Sequence, residues 1–84
     1  MINIRIYCNS LHRDYDNVYN IVNKVMEESG LNYQIWRLTD ERDMEYRSIM
    51  FQPHIVINNR VVYAKACPTE EEMWSILKDM QLIK

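Results

Sequence analysis

The apolar period of this chain changes from two to 3.6 within its first 26 residues, and that change limits what it can fold into. Ile2, Ile4 and Ile6 alternate with Asn3, Arg5 and Tyr7, as on a half-buried strand running from Ile2 to Cys8. The polar stretch Asn9 to Asp14 reads as a loop. Val18, Ile21, Val22, Val25 and Met26 then fall at i, i+3, i+4, i+7 and i+8, one stripe of a helix. Asp14 or Asp16 is placed to cap its start. Gly30, the only glycine, stands where a left-handed C-cap needs it.

The rest of the chain adds a second strand, a hairpin and two more helices. Tyr33 to Leu38 reads as a strand centred on Ile35 and Trp36. Thr39 or Asp40 caps a short helix through about Ile49, with Met44 and Ile49 inward. His54-Ile55-Val56-Ile57, the turn Asn58-Asn59 and a returning strand from Arg60 to Ala64 form a hairpin, since Asn accepts positive φ. Pro68 and the capping box Thr69-Glu70-Glu71-Glu72 announce the last helix, with Met73, Ile76, Leu77 and Met80 inward. Tyr15, Tyr19, Tyr46, Trp36 and Trp74 read as core or half-buried packing residues. If exposed near Pro53, they would form a binding patch.

The order is β-α-β-α-β-β-α. A right-handed crossover makes the first two strands parallel, and the hairpin completes a mixed four-stranded α/β sheet with helices on both faces. At 84 residues the chain has room for one domain, spanning 1–84. Several functions are disfavoured. The net charge is -2 with Lys and Arg scattered, so no basic face for nucleic acid is evident. No apolar run reaches the roughly 20 residues that span a bilayer, and no signal-peptide profile opens the chain. A cytoplasmic location follows by default. The two cysteines, Cys8 and Cys67, fit neither a disulfide framework nor a zinc-finger spacing.

Three stretches together resemble the thioredoxin and glutaredoxin superfamily. Asn3-Ile4-Arg5-Ile6-Tyr7 is similar to the family's first active-site strand. Tyr46-x-x-Ile49-x-x-x-Pro53 resembles the approach to the family's cis-proline. Ile55-Val56-Ile57-Asn58-Asn59-Arg60-Val61-Val62 resembles its closing hairpin. The resemblance implies a thioredoxin-like fold over nearly the whole chain. It also implies a site at the loop after strand one and at Pro53, where the backbone of Gln52 would pair with an extended peptide.

The family's Cys-x-x-Cys is missing. In the register of the resemblance, Leu11 and Asp14 stand where its cysteines would lie, and Leu and Asp cannot run dithiol exchange. Two functions follow as expectations. The first is a non-dithiol module that binds a protein or peptide partner at the Cys8/Pro53/Cys67 end, with His12, Gln52, Pro53 and His54 as contact residues. The second is a one-cysteine redox protein. Cys8 would be its catalytic thiol, favoured as thiolate by His12 and Arg13, and Cys67 would be a distant resolving thiol. Cys8 also continues the Ile2/Ile4/Ile6 face and reads more readily as a small core residue.

Strands one and four lie two spacings apart, about 9–10 Å. A disulfide needs Cα atoms within about 7 Å, so a Cys8–Cys67 bond requires the loops to converge. Cys8, His12, His54 and Cys67 are ligand types that suit zinc, but their spacing matches no known pattern, and no metal or other cofactor is expected. Glutathione is a candidate ligand that the resemblance implies. Lys65-Ala66 stand where glutathione-binding relatives usually carry a glycine pair.

Overall fold

Alternation along the first segment produces strand β1 (Ile2–Tyr7), with Ile2, Ile4 and Ile6 buried on one face. In the computed structural model, which describes residues 1–63 and 67–83, six further elements follow. They are α1 (Tyr15–Ser29), β2 (Tyr33–Leu38), α2 (Glu41–Tyr46), β3 (His54–Ile57), β4 (Arg60–Tyr63) and α3 (Glu70–Asp79). The sheet order is β2-β1-β3-β4. β1 and β2 are parallel, and the other neighbours are antiparallel. This is the mixed α/β sheet expected from the sequence. The expected last residue of β4, Ala64, and the Lys65-Ala66 pair lie outside the described residues.

The period of two sorts the sheet into two faces. Ile2, Ile4, Ile6 and Cys8 join Ile55 and Ile57 on the face covered by α1 and α3. Val18, Val22, Val25 and Met26 of α1 and Met73 and Leu77 of α3 complete that core. Tyr7 and Val56 turn to the other face, where Met44 of α2 meets them and Leu38 and Ile49 pack around. Each large apolar side chain removed from water there stabilises by about 1.5–3 kcal/mol.

The ends of the elements follow local chemistry. Gly30 adopts φ 72, and its N–H bonds the Glu27 carbonyl. Asn58 and Asn59 both take positive φ, 49° and 68°, the pair a tight hairpin turn needs. Thr69 and Glu72 form the full reciprocal capping box. Asp40 caps α2 through the N–H groups of Arg42 and Asp43. Asp14 occupies the N-cap position of α1, but its side chain makes no capping bond.

α2 stops at Tyr46, short of the expected Ile49. The cause is a left-handed Ser48, at φ 58. Its N–H bonds Glu45 at 3.0 Å, while the Ile49 N–H reaches back to Met44 at 2.9 Å. This is the paired closure of a Schellman motif, made without glycine. It turns Ile49 inward against Met44 and sends residues 50–52 towards β1. A six-residue helix covers little of its sheet face. Trp36 is therefore only half-buried, at 49% exposed, while Tyr46 at 89% does not pack, which corrects the expectation for Tyr46. Tyr15 and Tyr19 instead flank the Arg37 guanidinium, at 3.9 and 4.5 Å.

Candidate functional site

The site is built from the β1–α1 loop and the segment before β3. Tyr7 pairs with His54, so Cys8 and Pro53 come next on the two strands. Cys8 continues the β1–β2 ladder by one bond, its N–H to Leu38 at 3.1 Å. The chain then leaves the sheet and winds around Asn9. The Asn9 N–H donates to Gln52 Oε1 at 2.6 Å. Asn9 Oδ1 accepts from the Leu11 N–H at 2.8 Å, and Asn9 Nδ2 donates to Glu41. The His12 N–H returns to the Asn9 carbonyl at 2.9 Å. His12 Nδ1 accepts from the Asp14 N–H at 3.1 Å, so the ring also holds the start of α1.

This winding sends Leu11 outward, 92% exposed. Across from it stand Met50 and Phe51, 84% and 62% exposed. Asn9, Leu11, His12, Met50, Phe51 and Gln52 line one open groove of about 470 Å³. Among the described residues, no backbone–backbone hydrogen bond engages the amides or carbonyls of Met50, Phe51 or Gln52. Pro53 is fully buried behind them, and the Gln52–Pro53 peptide is cis.

The thiols lie on the inner side of this rim. Cys8 is 1% exposed within the α1/α3 core, and half-buried Cys67 packs against the same core. Both are free. Burial first, then the Asp14 carboxylate, raises the Cys8 pKa, while the Arg37 guanidinium opposes them. Burial, then Asp14 and Glu72, raises that of Cys67. The cation acting on Cys8 is thus Arg37, from β2, and not His12 or Arg13 as expected. Burial, with the Asp14 carboxylate next, thus favours the protonated form of both thiols.

His54 does not join this group. It projects onto the α2 face, edge-on to Tyr7 with ring centroids 5.9 Å apart, and burial lowers its pKa. The sheet therefore separates it from Cys8, and the four-residue zinc set considered from the sequence does not converge. Among the described residues no cluster of three His, Cys, Asp or Glu side chains could hold a metal ion. None of their helices is long and apolar enough to cross a membrane.

Leu11, Met50 and Phe51 were not singled out by their chemistry in the sequence. One signal was available. Met50 and Phe51 are two large apolar residues in a row that belong to no stripe, between inward Ile49 and Pro53.

A family model for the thioredoxin domain matches residues 4–78. The chain belongs to the thioredoxin domain family. Solved structures agree on the fold. A malarial protein superposes with a TM-score of 0.72 at 10% identity, covering 94% of this chain and 96% of that one. The germline-specific thioredoxin Deadhead from Drosophila melanogaster superposes with a TM-score of 0.66 at 11% identity, covering 94% of this chain and 80% of that one. A sequence comparison with curated proteins found no significant match. Membership in the thioredoxin family supports a general redox or binding role. The two cysteines of this thioredoxin-family chain, Cys8 and Cys67, do not form a Cys-x-x-Cys pair.

Proposed function

We propose that the chain is a non-dithiol thioredoxin-fold module that binds an extended, apolar segment of a protein or peptide partner. The binding site is the groove between Leu11 and Met50-Phe51. The observation that carries this reading is the exposure of these three side chains along one groove. Exposing large apolar side chains side by side is unfavourable in water unless a partner covers them. The backbone groups of residues 50–52 add hydrogen-bonding capacity for an extended ligand. Gln52 and His12 border the groove, and Pro53 backs it. His54 lies outside it.

Thiol exchange at Cys8 is the weaker reading. Attack requires an accessible thiolate, whereas Cys8 is buried and its pKa is raised. In its favour, Cys67 is near enough for the two thiols to influence each other. Glutathione has less to hold it than a peptide has, because its usual glycine pair is replaced by Lys65-Ala66. Two free thiols suit a reducing, cytoplasmic setting.

The test is a titration of isotope-labelled protein with short extended peptides of varied apolar content, followed by amide shift changes. Saturable shifts at Asn9, Leu11, Phe51 and Gln52 are expected. An inert groove, or responses confined to another surface, would overturn the proposal.

A further inference from the structure

The two edges of the sheet differ. β4 has four residues, and its pairing with β3 is irregular between Ile55 and Val56. β2 has six residues in unbroken register with β1 from Tyr33 to Leu38. It carries no Pro, Gly or Lys, the usual devices that keep an edge from pairing. Its sequence, Tyr-Gln-Ile-Trp-Arg-Leu, is rich in strand-forming residues.

The hydrogen bonds show which groups face outward. Ile2 donates to Asn32 and Cys8 donates to Leu38, so the even-numbered residues of this segment turn their backbone towards β1. In a parallel ladder the sides alternate, so Tyr33, Ile35 and Arg37 point their N–H and C=O groups away from the sheet. Among the described residues, no backbone–backbone hydrogen bond outside the helices and strands engages them, and no strand lies beyond them.

We propose that this edge pairs with the same edge of a second copy, antiparallel, about a two-fold axis through Ile35. Opposed residues must lie on the same face of the sheet, so the axis has to pass through a residue. With Ile35 on the axis, Ile35 meets Ile35 of the second copy, Tyr33 meets Arg37, and Gln34 meets Trp36. The outward residues are then the ones that meet as hydrogen-bonded pairs. Arg37, the only charged residue of β2, faces a tyrosine and not itself. The Tyr33 hydroxyl is already engaged, donating to Asn23 Oδ1 at 2.7 Å. In its own copy the Arg37 guanidinium is held by Asp16 at 3.2 Å and by the Tyr15 carbonyl at 3.1 Å, so no bare charge meets the seam. On the opposite face half-exposed Trp36 gains the Gln34 side chain as cover. Moving the axis to Trp36 would set Ile35 against Arg37 and lose this complementarity. The proposal is independent of the groove.

Sedimentation of the intact chain from micromolar to millimolar concentration, with residue-resolved amide exchange at both ends of the range, tests it. A reversible dimer is expected, with exchange at Tyr33, Ile35 and Arg37 slowed about tenfold or more on association and the even-numbered amides unchanged. A chain that stays monomeric at millimolar concentration overturns the proposal. So does a dimer whose newly protected amides lie elsewhere. A double variant Gln34→Lys/Trp36→Lys, and another Gln34→Glu/Trp36→Glu, should each be monomeric and should pair when mixed. If either fails to fold, the exchange pattern of the unaltered protein still decides.

Discussion

Gln52 Oε1 accepts a 2.6 Å hydrogen bond from the backbone N–H of Asn9, and this one contact ties together the two walls of the groove. Asn9 in turn orients Leu11 and reaches Glu41 at the start of α2. Gln52→Leu should cost about 1–2 kcal/mol, because a part-buried N–H loses its acceptor. Gln52→Glu keeps an oxygen there and should cost less. Urea denaturation measures both. The Leu variant should also weaken peptide shifts at Leu11, although Leu11 itself is untouched.

Ser48 closes α2 in a left-handed conformation, at φ 58. A side chain in that region costs roughly 1 kcal/mol, and glycine avoids the cost. Ser48→Gly should therefore stabilise the protein by about 0.5–1 kcal/mol, read as a higher denaturation midpoint with unchanged slope. A loss of stability would show that the Ser48 side chain has a role beyond the turn.

These cases show what the sequence could reveal. The β1 alternation, the α1 stripe, the Asn58-Asn59 turn and the Thr69 capping box were legible because each rests on neighbours in the chain. The Ser48 closure was missed because its residue is not the usual glycine. Tyr46 was expected to pack because aromatic residues usually do, yet it stands exposed at the end of the short helix whose length Ser48 sets. Pro53 and Gln52 were placed at the site by resemblance. The groove could not be seen in advance, since the exposure of Leu11, Met50 and Phe51 follows from how two loops meet.

His54 is partly buried on the α2 face, edge-on to Tyr7, and the Arg47 guanidinium stands 5.8 Å over the same tyrosine ring. Burial lowers the His54 pKa below its ordinary value of about 6.5. The unfolded chain thus binds a proton more readily than the folded one. The stabilising contribution is complete above pH about 6.5 and is lost as pH falls through the folded pKa. His54→Phe keeps an edge contact and should flatten this part of the stability–pH curve. Denaturation midpoints measured across the acid range check it.

Leu11→Glu and Phe51→Ser alter exposed side chains, so each should change folding stability by no more than about 0.5 kcal/mol. Both should abolish the peptide response if the groove binds apolar segments. Core substitutions such as Leu77→Ala should do the reverse, costing about 2–5 kcal/mol while leaving the shift pattern of the folded fraction intact. Calorimetry and peptide titration on the same samples separate the two effects.

Cys8 and Cys67 provide the sharpest distinction between binding and redox readings. In both, burial is the largest cause of the raised pKa, with Asp14 next. A raised thiol pKa means that the folded state holds its proton when the unfolded state has released it. Stability is therefore unaffected below the ordinary thiol value of about 8.5 and falls as pH rises through the folded pKa values. Alkylation of Cys8 at neutral pH should be slower than that of a free thiol, and urea should speed it. Asp14→Asn removes the nearby negative charge, so it should lower both pKa values towards the ordinary thiol value and make the alkaline loss of stability smaller, leaving burial as the main remaining cause. A Cys8 that alkylates rapidly in the folded protein, with a pKa below that of a free thiol, would instead favour catalysis at this residue, because it would require an opening that presents the thiolate to substrate.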